Sequence, residues 1–126
     1  MQGGTFGTCL NCIDGRVQQP VIQWVRDHYD IDYADMITEA GMDGFLADPQ
    51  SDITSVLGKI RVSVEKHQSK IIFLVGHLGC AGNPVNPVPH KRHIRFGINR
   101  LKSYFPGIRI IGLWISDKGH VAQTVE

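Results

Sequence analysis

Residues 70–82 read KIIFLVGHLGCAG, and this stretch decides the fold class. Residues 71–75 form a continuous apolar run, which is typical of a strand buried on both faces of a parallel sheet. A glycine-rich segment with a histidine and a cysteine, residues 76–82, follows the run at once. Ligand sites in parallel sheets lie at the carboxyl ends of the strands. The stretch therefore predicts a buried strand that ends in a functional loop.

Strand and helix patterns alternate along the rest of the chain. Strand patterns cover residues 5–11, 32–41, 108–115 and 120–125, and helical spacing covers 21–29, 51–67 with Ser51 as N-cap, and 90–104. This alternation predicts right-handed β-α-β units. We therefore expect one α/β domain over residues 1–126, with a mainly parallel sheet of four strands, an antiparallel edge strand and helices on both faces.

The composition excludes several classes of protein. The 126 residues suit one domain, and the 13 basic and 12 acidic residues leave a net charge of +1, which favours neither nucleic acid nor an anionic membrane as partner. We find no signal-peptide pattern and no apolar stretch near the roughly 20 residues of a membrane span. Three cysteines without a secretory signal argue against a disulfide framework. We therefore expect a cytoplasmic protein with reduced thiols.

A second functional segment, residues 12–16 with the sequence CIDGR, follows the first predicted strand. The sheet should bring it next to His77 and Cys80. Two thiolates and an imidazole, from Cys12, His77 and Cys80, select zinc over magnesium or calcium. Three protein ligands leave a fourth position open, as in catalytic zinc sites, and zinc lowers the pKa of a bound water to about 7.

Asp14 and Arg16 follow Cys12 at intervals of two residues. Asp14 is close enough to accept a hydrogen bond from a water on the metal. Arg16 can hold the carboxylate of Asp14 in a bidentate pair, which keeps it ionised. A weak surface ion pair is the alternative for these two residues.

The pattern C-x-D-x-R followed by H-x-x-C resembles the β-class carbonic anhydrases. The segments ITEAG at 37–41 and IIGLWISDKGHV at 110–121 resemble two further landmarks of that family, in the same order. Ala81 and the proline-rich residues 83–93 depart from its usual pattern. The chain is thus identified as a short, divergent member of the family.

The resemblance implies a function and a site. It implies zinc ligation by Cys12, His77 and Cys80, one zinc per chain, with Asp14 and Arg16 as the catalytic pair. The implied reaction is the reversible hydration of carbon dioxide to bicarbonate by zinc-bound hydroxide, in a homodimer or higher even oligomer. Asp14 either orients the water or ligates the zinc itself. A related zinc hydrolase of carbon disulfide or carbonyl sulfide, or a non-catalytic zinc protein, are the alternatives.

Cys9 allows competing interpretations. Together with Cys12, His77 and Cys80, it could complete a closed structural zinc site with four ligands. With Cys12 alone, it could form a redox pair. An extended strand places Cys9 about 10 Å from Cys12 and on the opposite face, so we expect a small buried hydrophobe.

Other residues have weaker signals. His90 and His93 are interpreted as part of a solvated basic helix face, with a proton shuttle or an anion site as the alternative. Possible apolar lining residues of a site for a small gas are Ile13, Val17, Met42, Phe45 and Leu78.

Overall fold

A computed structural model describes residues 3–125. Its five strands are Phe6–Asn11 (β1), Tyr33–Thr38 (β2), Ile71–His77 (β3), Arg109–Ile115 (β4) and Val121–Val125 (β5). They form one sheet in the order β2-β1-β3-β4-β5, in which β1 to β4 are parallel and β5 pairs antiparallel with β4. The predicted sheet, with four parallel strands and an antiparallel edge, is confirmed.

The helices are Gln18–Tyr29 (α1), Met42–Ala47 (α2), Thr54–Arg61 (α3) and Pro87–Tyr104 (α4). A single 3-10 turn, Gly15–Val17, leads into α1, and a π-helical turn, Val62–Lys66, continues α3. The sequence did not predict α2, because six residues are too few to show a helical period.

Three predicted helix starts were wrong. Helix α1 begins at Gln18 and not at residue 21, so Pro20 lies in its first turn, where proline is tolerated. Helix α3 begins at Thr54, not Ser51, because the carboxylate of Asp52 accepts a hydrogen bond from the Thr54 backbone nitrogen at 3.1 Å. Helix α4 begins three residues before His90, at Pro87, where proline is favoured because its missing N–H and fixed φ suit the first helical position.

Each face of the sheet buries its own apolar cluster. Helices α2, α3 and α4 cover one face, where Leu10, Ile72 and Leu74 lie in the core. Helix α1 covers the other face, where Phe73 and Val75 are buried. Strand β3 thus contributes to both clusters, as its continuous apolar run predicts.

The loops after β2 and β3 meet at the carboxyl end of the sheet. A Cβ atom on Gly41 would lie 2.5 Å from the backbone of Gly82, and one on Gly82 would lie 2.5 Å from the backbone of Ala40 and Gly41. Gly41 also has a φ of +62°, which side-chain-bearing residues rarely adopt. Glycine at both positions therefore lets the two loops touch. Within residues 3–125, no helix has the length and apolar character needed to cross a membrane.

Candidate metal centre

Three buried side chains of metal-binding type meet at the carboxyl end of the sheet. Cys12 directly follows β1, His77 is the last residue of β3, and Cys80 lies in the loop after it. One ligand atom from each residue lies within 4.8 Å of the other two. The two sequence segments that were predicted to meet are therefore adjacent.

The distances and hydrogen bonds in this cluster fit a tetrahedral zinc ion. The sulfurs of Cys12 and Cys80 are 3.7 Å apart, and two sulfurs at about 2.3 Å from a tetrahedral zinc lie about 3.8 Å apart. Nδ1 of His77 is 2.9 Å from the carbonyl oxygen of Leu78, so it donates to that oxygen. Nε2 of His77 is then an acceptor, and it is buried without a hydrogen-bond partner among residues 3–125. This lone pair is the group that a metal ion would use.

Backbone N–H groups face both sulfurs. The Gly41 nitrogen donates to the sulfur of Cys12 at 3.5 Å. Burial, and next the neighbouring Cys12, raises the pKa of the Cys80 thiol to about 11, and hydrogen bonds from the backbone of Asn83 and Gly82 oppose this rise. A metal cation would favour both thiolates, since a coordinating thiol is deprotonated.

Asp14 and Arg16 form a bidentate pair beside the cluster. Nε of Arg16 lies 3.0 and 3.1 Å from the two carboxylate oxygens of Asp14, and Nη2 lies 2.6 Å from Oδ2. The Arg16 side-chain hydrogen bonds, followed by that from its backbone N–H, hold the pKa of Asp14 well below its usual range. The same guanidinium reaches the carbonyl oxygen of Gly79 at 3.4 Å. Asp14 is thus an ionised acceptor paired with Arg16.

A solvent-open cavity of about 460 Å³ lies next to the cluster. Its lining includes Arg16, His77, Val17 and Leu78, together with residues 115–119 between β4 and β5. A small ligand in this cavity would therefore contact the exposed guanidinium of Arg16 and lie next to the buried His77.

The predicted apolar lining is only partly present. Val17 and Leu78 line this cavity, but Ile13 does not and is 65% exposed. Met42 is buried in the core on the α2, α3 and α4 face. Phe45 lines a different cavity. Three of the five residues therefore do not line this cavity, and two of them lie in helix α2, which the sequence did not predict.

Cys9 is not part of the metal-binding cluster. Its side chain is fully buried, and burial raises the pKa of its thiol to about 12. The predicted buried hydrophobe is confirmed. The prediction that Cys9 and Cys12 lie on opposite faces of the sheet is wrong, because both side chains belong to one apolar cluster. Strand β1 ends at Asn11, so the alternation of sides no longer applies at Cys12.

His90 is not on a solvated helix face, contrary to the sequence interpretation. It is 1% exposed, and its Nδ1 is hydrogen-bonded to Oδ2 of the buried Asp43 in α2. The amide of Asn83 donates to Asp43 at 3.2 Å and to Nδ1 of His93 at 2.9 Å. This buried network joins α2, the loop after Cys80 and α4.

The sequence interpretation also missed two amides next to the first metal-binding segment. Asn11 and Gln18 flank residues 12–17 and bond to their backbone. A signal was present, since Asn11 is a polar residue at the end of a buried strand, and a buried amide needs partners.

Comparison with known proteins identifies the family of this chain. A family model described as "Putative carbonic anhydrase" matches residues 2–125. A search of curated proteins gave no significant match.

Solved structures of β-carbonic anhydrases share the fold. The Trichomonas vaginalis isoform I structure has a TM-score of 0.64 and 18% identity, over 100% of this chain and 86% of its own. A carbonic anhydrase from Streptococcus mutans has a TM-score of 0.63 and 17% identity, over 92% and 80%. A structure from a study of two tetrameric β-carbonic anhydrases of Sordaria macrospora has a TM-score of 0.57 and 14% identity. The match covers 96% of this chain and 81% of that chain. With a family model that spans nearly the whole chain and a β-carbonic anhydrase fold, this protein belongs to the carbonic anhydrase family.

Proposed function

We propose that the protein is a zinc-dependent carbonic anhydrase that converts carbon dioxide and water reversibly to bicarbonate and a proton. One observation carries the proposal, namely the buried cluster of Cys12, His77 and Cys80 with the Asp14–Arg16 pair beside it. Family membership and the carbonic anhydrases named among the similar structures support the same reaction.

Zinc is the metal that these ligand types favour. Two thiolates and one imidazole form a soft donor set, and three protein ligands leave one of four tetrahedral positions for a small molecule. When bound, zinc supplies a Lewis acid that activates water at neutral pH. The sulfur–sulfur distance of 3.7 Å supports tetrahedral coordination by Cys12 and Cys80.

Asp14 and Arg16 would orient the reacting groups. The Asp14 carboxylate is ionised and can accept a hydrogen bond from a water molecule, which aims the water's lone pair toward carbon dioxide. Arg16 occupies both oxygens of the carboxylate, so it fixes the direction in which Asp14 can accept. The exposed guanidinium also lines the cavity, where it would attract bicarbonate.

We further propose a homodimer or higher even oligomer with a cytoplasmic location. Two large apolar side chains next to the ligands, Ile13 and Leu78, are 65% and 45% exposed. A second copy of the chain would shield them from water. The tetrameric relatives from Sordaria macrospora support such an assembly.

Stopped-flow measurement of carbon dioxide hydration on zinc-loaded protein tests the function, from about pH 6.5 to 9, a range that brackets the titration of water activated by zinc. Activity should rise with pH and fall about 10²-fold or more in Asp14→Asn, whose amide cannot act as an ionised acceptor. Absence of activity with one zinc bound per chain would refute the proposal. Carbon disulfide and carbonyl sulfide would then separate a related hydrolase from a non-catalytic zinc protein.

A further inference from the structure

Two amide side chains enclose the loop that carries Cys12, Asp14 and Arg16. Asn11 is fully buried at the end of β1. Its Oδ1 accepts a hydrogen bond from the Cys12 nitrogen at 3.0 Å, and its Nδ2 donates to the Val17 carbonyl at 3.1 Å. One side chain therefore joins the first residue of the loop to the last.

Gln18 holds the same loop from the start of α1. Its Nε2 donates to the carbonyl oxygens of Cys12 at 2.7 Å and Asp14 at 2.9 Å. Its Oε1 lies 3.3 Å from Nδ2 of Asn11, so the two amides also bond to each other. Residues 11–18 thus form a closed ring of hydrogen bonds.

This ring leaves Asp14 little backbone freedom. The Asp14 carbonyl also accepts a hydrogen bond from the Val17 nitrogen at 3.2 Å, and the Asp14 carboxylate accepts one from the Arg16 nitrogen at 2.9 Å. Without Gln18, among the donors within residues 3–125, the Cys12 carbonyl would lose the amide of Gln18, and the Asp14 carbonyl would keep only the Val17 nitrogen. Freedom in the loop would then allow Asp14 to leave Arg16 and turn toward the cluster of metal-binding side chains.

We propose that Asn11 and Gln18 are positioning residues that hold Asp14 in its pair with Arg16, so that its carboxylate does not take the fourth position on the metal. The part that concerns the metal rests on the proposed function. The part that concerns the Asp14–Arg16 pair does not, since this pair forms in the protein chain alone.

A matched pair of variants tests this role. Gln18→Leu removes both donors at nearly constant volume, and Gln19→Leu makes the same change at an exposed neighbour. NMR on metal-free protein would report exchange of the Arg16 Nε proton with water. We expect exchange about tenfold faster in Gln18→Leu, because the loss of two hydrogen bonds from Nε2 to the Cys12 and Asp14 carbonyls loosens the loop that holds the pair. Wild-type protein and Gln19→Leu should exchange equally.

A second readout uses the metal. Cobalt-loaded protein is titrated with azide, an anion that needs the open fourth position, and the visible spectrum is followed. Gln18→Leu should bind azide about tenfold more weakly at equal cobalt occupancy, because Asp14 competes for the position.

The two readouts separate the two proposals. Failure of wild-type protein to bind cobalt would contradict the proposed metal function, while the exchange measurement still decides the role of the amides. Equal exchange in Gln18→Leu, Gln19→Leu and wild-type protein would overturn the positioning role. If Gln18→Leu does not fold, Gln18→Glu keeps the shape, removes both donors and is interpreted in the same way.

Discussion

Replacing His90 by phenylalanine should destabilise the fold strongly without creating a large cavity. Phenylalanine is somewhat larger than histidine, so it leaves no void, and it can keep the edge-to-face contact with Trp114, where the centroids are 5.1 Å apart. The loss falls on Asp43, which is 1% exposed and bonds to His90 and Asn83. After the change, its carboxyl group stays buried, and within the described part of the chain it keeps Asn83 as its one side-chain partner.

Breaking a buried pair of this kind by removing one partner costs about 3–5 kcal/mol. We therefore expect His90→Phe to lower the free energy of unfolding by that amount. If the free energy of unfolding falls by roughly 1.5–2 kcal/mol per molar urea, the urea concentration at the unfolding midpoint should fall by roughly 1.5–3 M. Urea unfolding of metal-free protein, followed by circular dichroism, measures this shift.

Two further variants test the reason for the loss. His120→Phe makes the same change at an exposed histidine and should alter stability by less than about 0.5 kcal/mol. Adding Asp43→Asn to His90→Phe removes the stranded carboxyl group and should recover about 1–3 kcal/mol. Two results would contradict a role for the unpaired Asp43 carboxyl group. One is a loss of unfolding free energy in His90→Phe no greater than that in His120→Phe, and the other is a double variant as unstable as His90→Phe alone.

The other predictions concern Cys9, the Asp14–Arg16 pair and the hydrogen bonds that hold α4. Cys9→Ala should leave zinc at one per chain by metal analysis, and a variant that binds less zinc than wild-type protein would contradict this. Because burial raises the pKa of Cys9 to about 12 in the folded chain, its thiol ionises first in the unfolded chain. The stability that the neutral Cys9 thiol contributes is therefore complete below about pH 8.5 and is lost as the pH rises toward 12. The difference in unfolding free energy between wild-type protein and Cys9→Ala, measured with urea, should therefore narrow over that range. Arg16→Ala should leave the free energy of unfolding nearly unchanged, since the pair is largely exposed, yet reduce carbon dioxide hydration; full activity would exclude its role. Arg100→Met should cost about 1–3 kcal/mol, because Arg100 donates to the carbonyls of Asp48 and Ser51 at 2.7 and 2.9 Å, and unchanged urea unfolding would argue against that contribution.

The metal-binding cluster could be predicted because its residues lie at the ends of parallel strands. Cys12 and His77 are 65 positions apart in the sequence, but the sheet places the ends of β1 and β3 side by side. Topology alone therefore predicts that the two segments meet. The bidentate shape of the Asp14–Arg16 pair also follows from local spacing, since two residues suffice for the guanidinium to reach both carboxylate oxygens.

The buried polar network could not be predicted in the same way. Asp43 and His90 are 47 positions apart and lie on two helices whose packing no periodic pattern describes. Helix α2 is too short to reveal its buried face, and histidines near several basic residues are typical of a solvated surface. Tertiary packing of α2 against α4 therefore decided the environment of His90.

X-ray absorption at the zinc edge of zinc-loaded protein tests the metal centre most directly. We expect two sulfur ligands at about 2.3 Å and two nitrogen or oxygen ligands at about 2.0–2.1 Å, from Cys12, Cys80, His77 and one small ligand. Cys9→Ala should leave this spectrum unchanged. Three sulfur ligands, or none, would contradict the proposed centre.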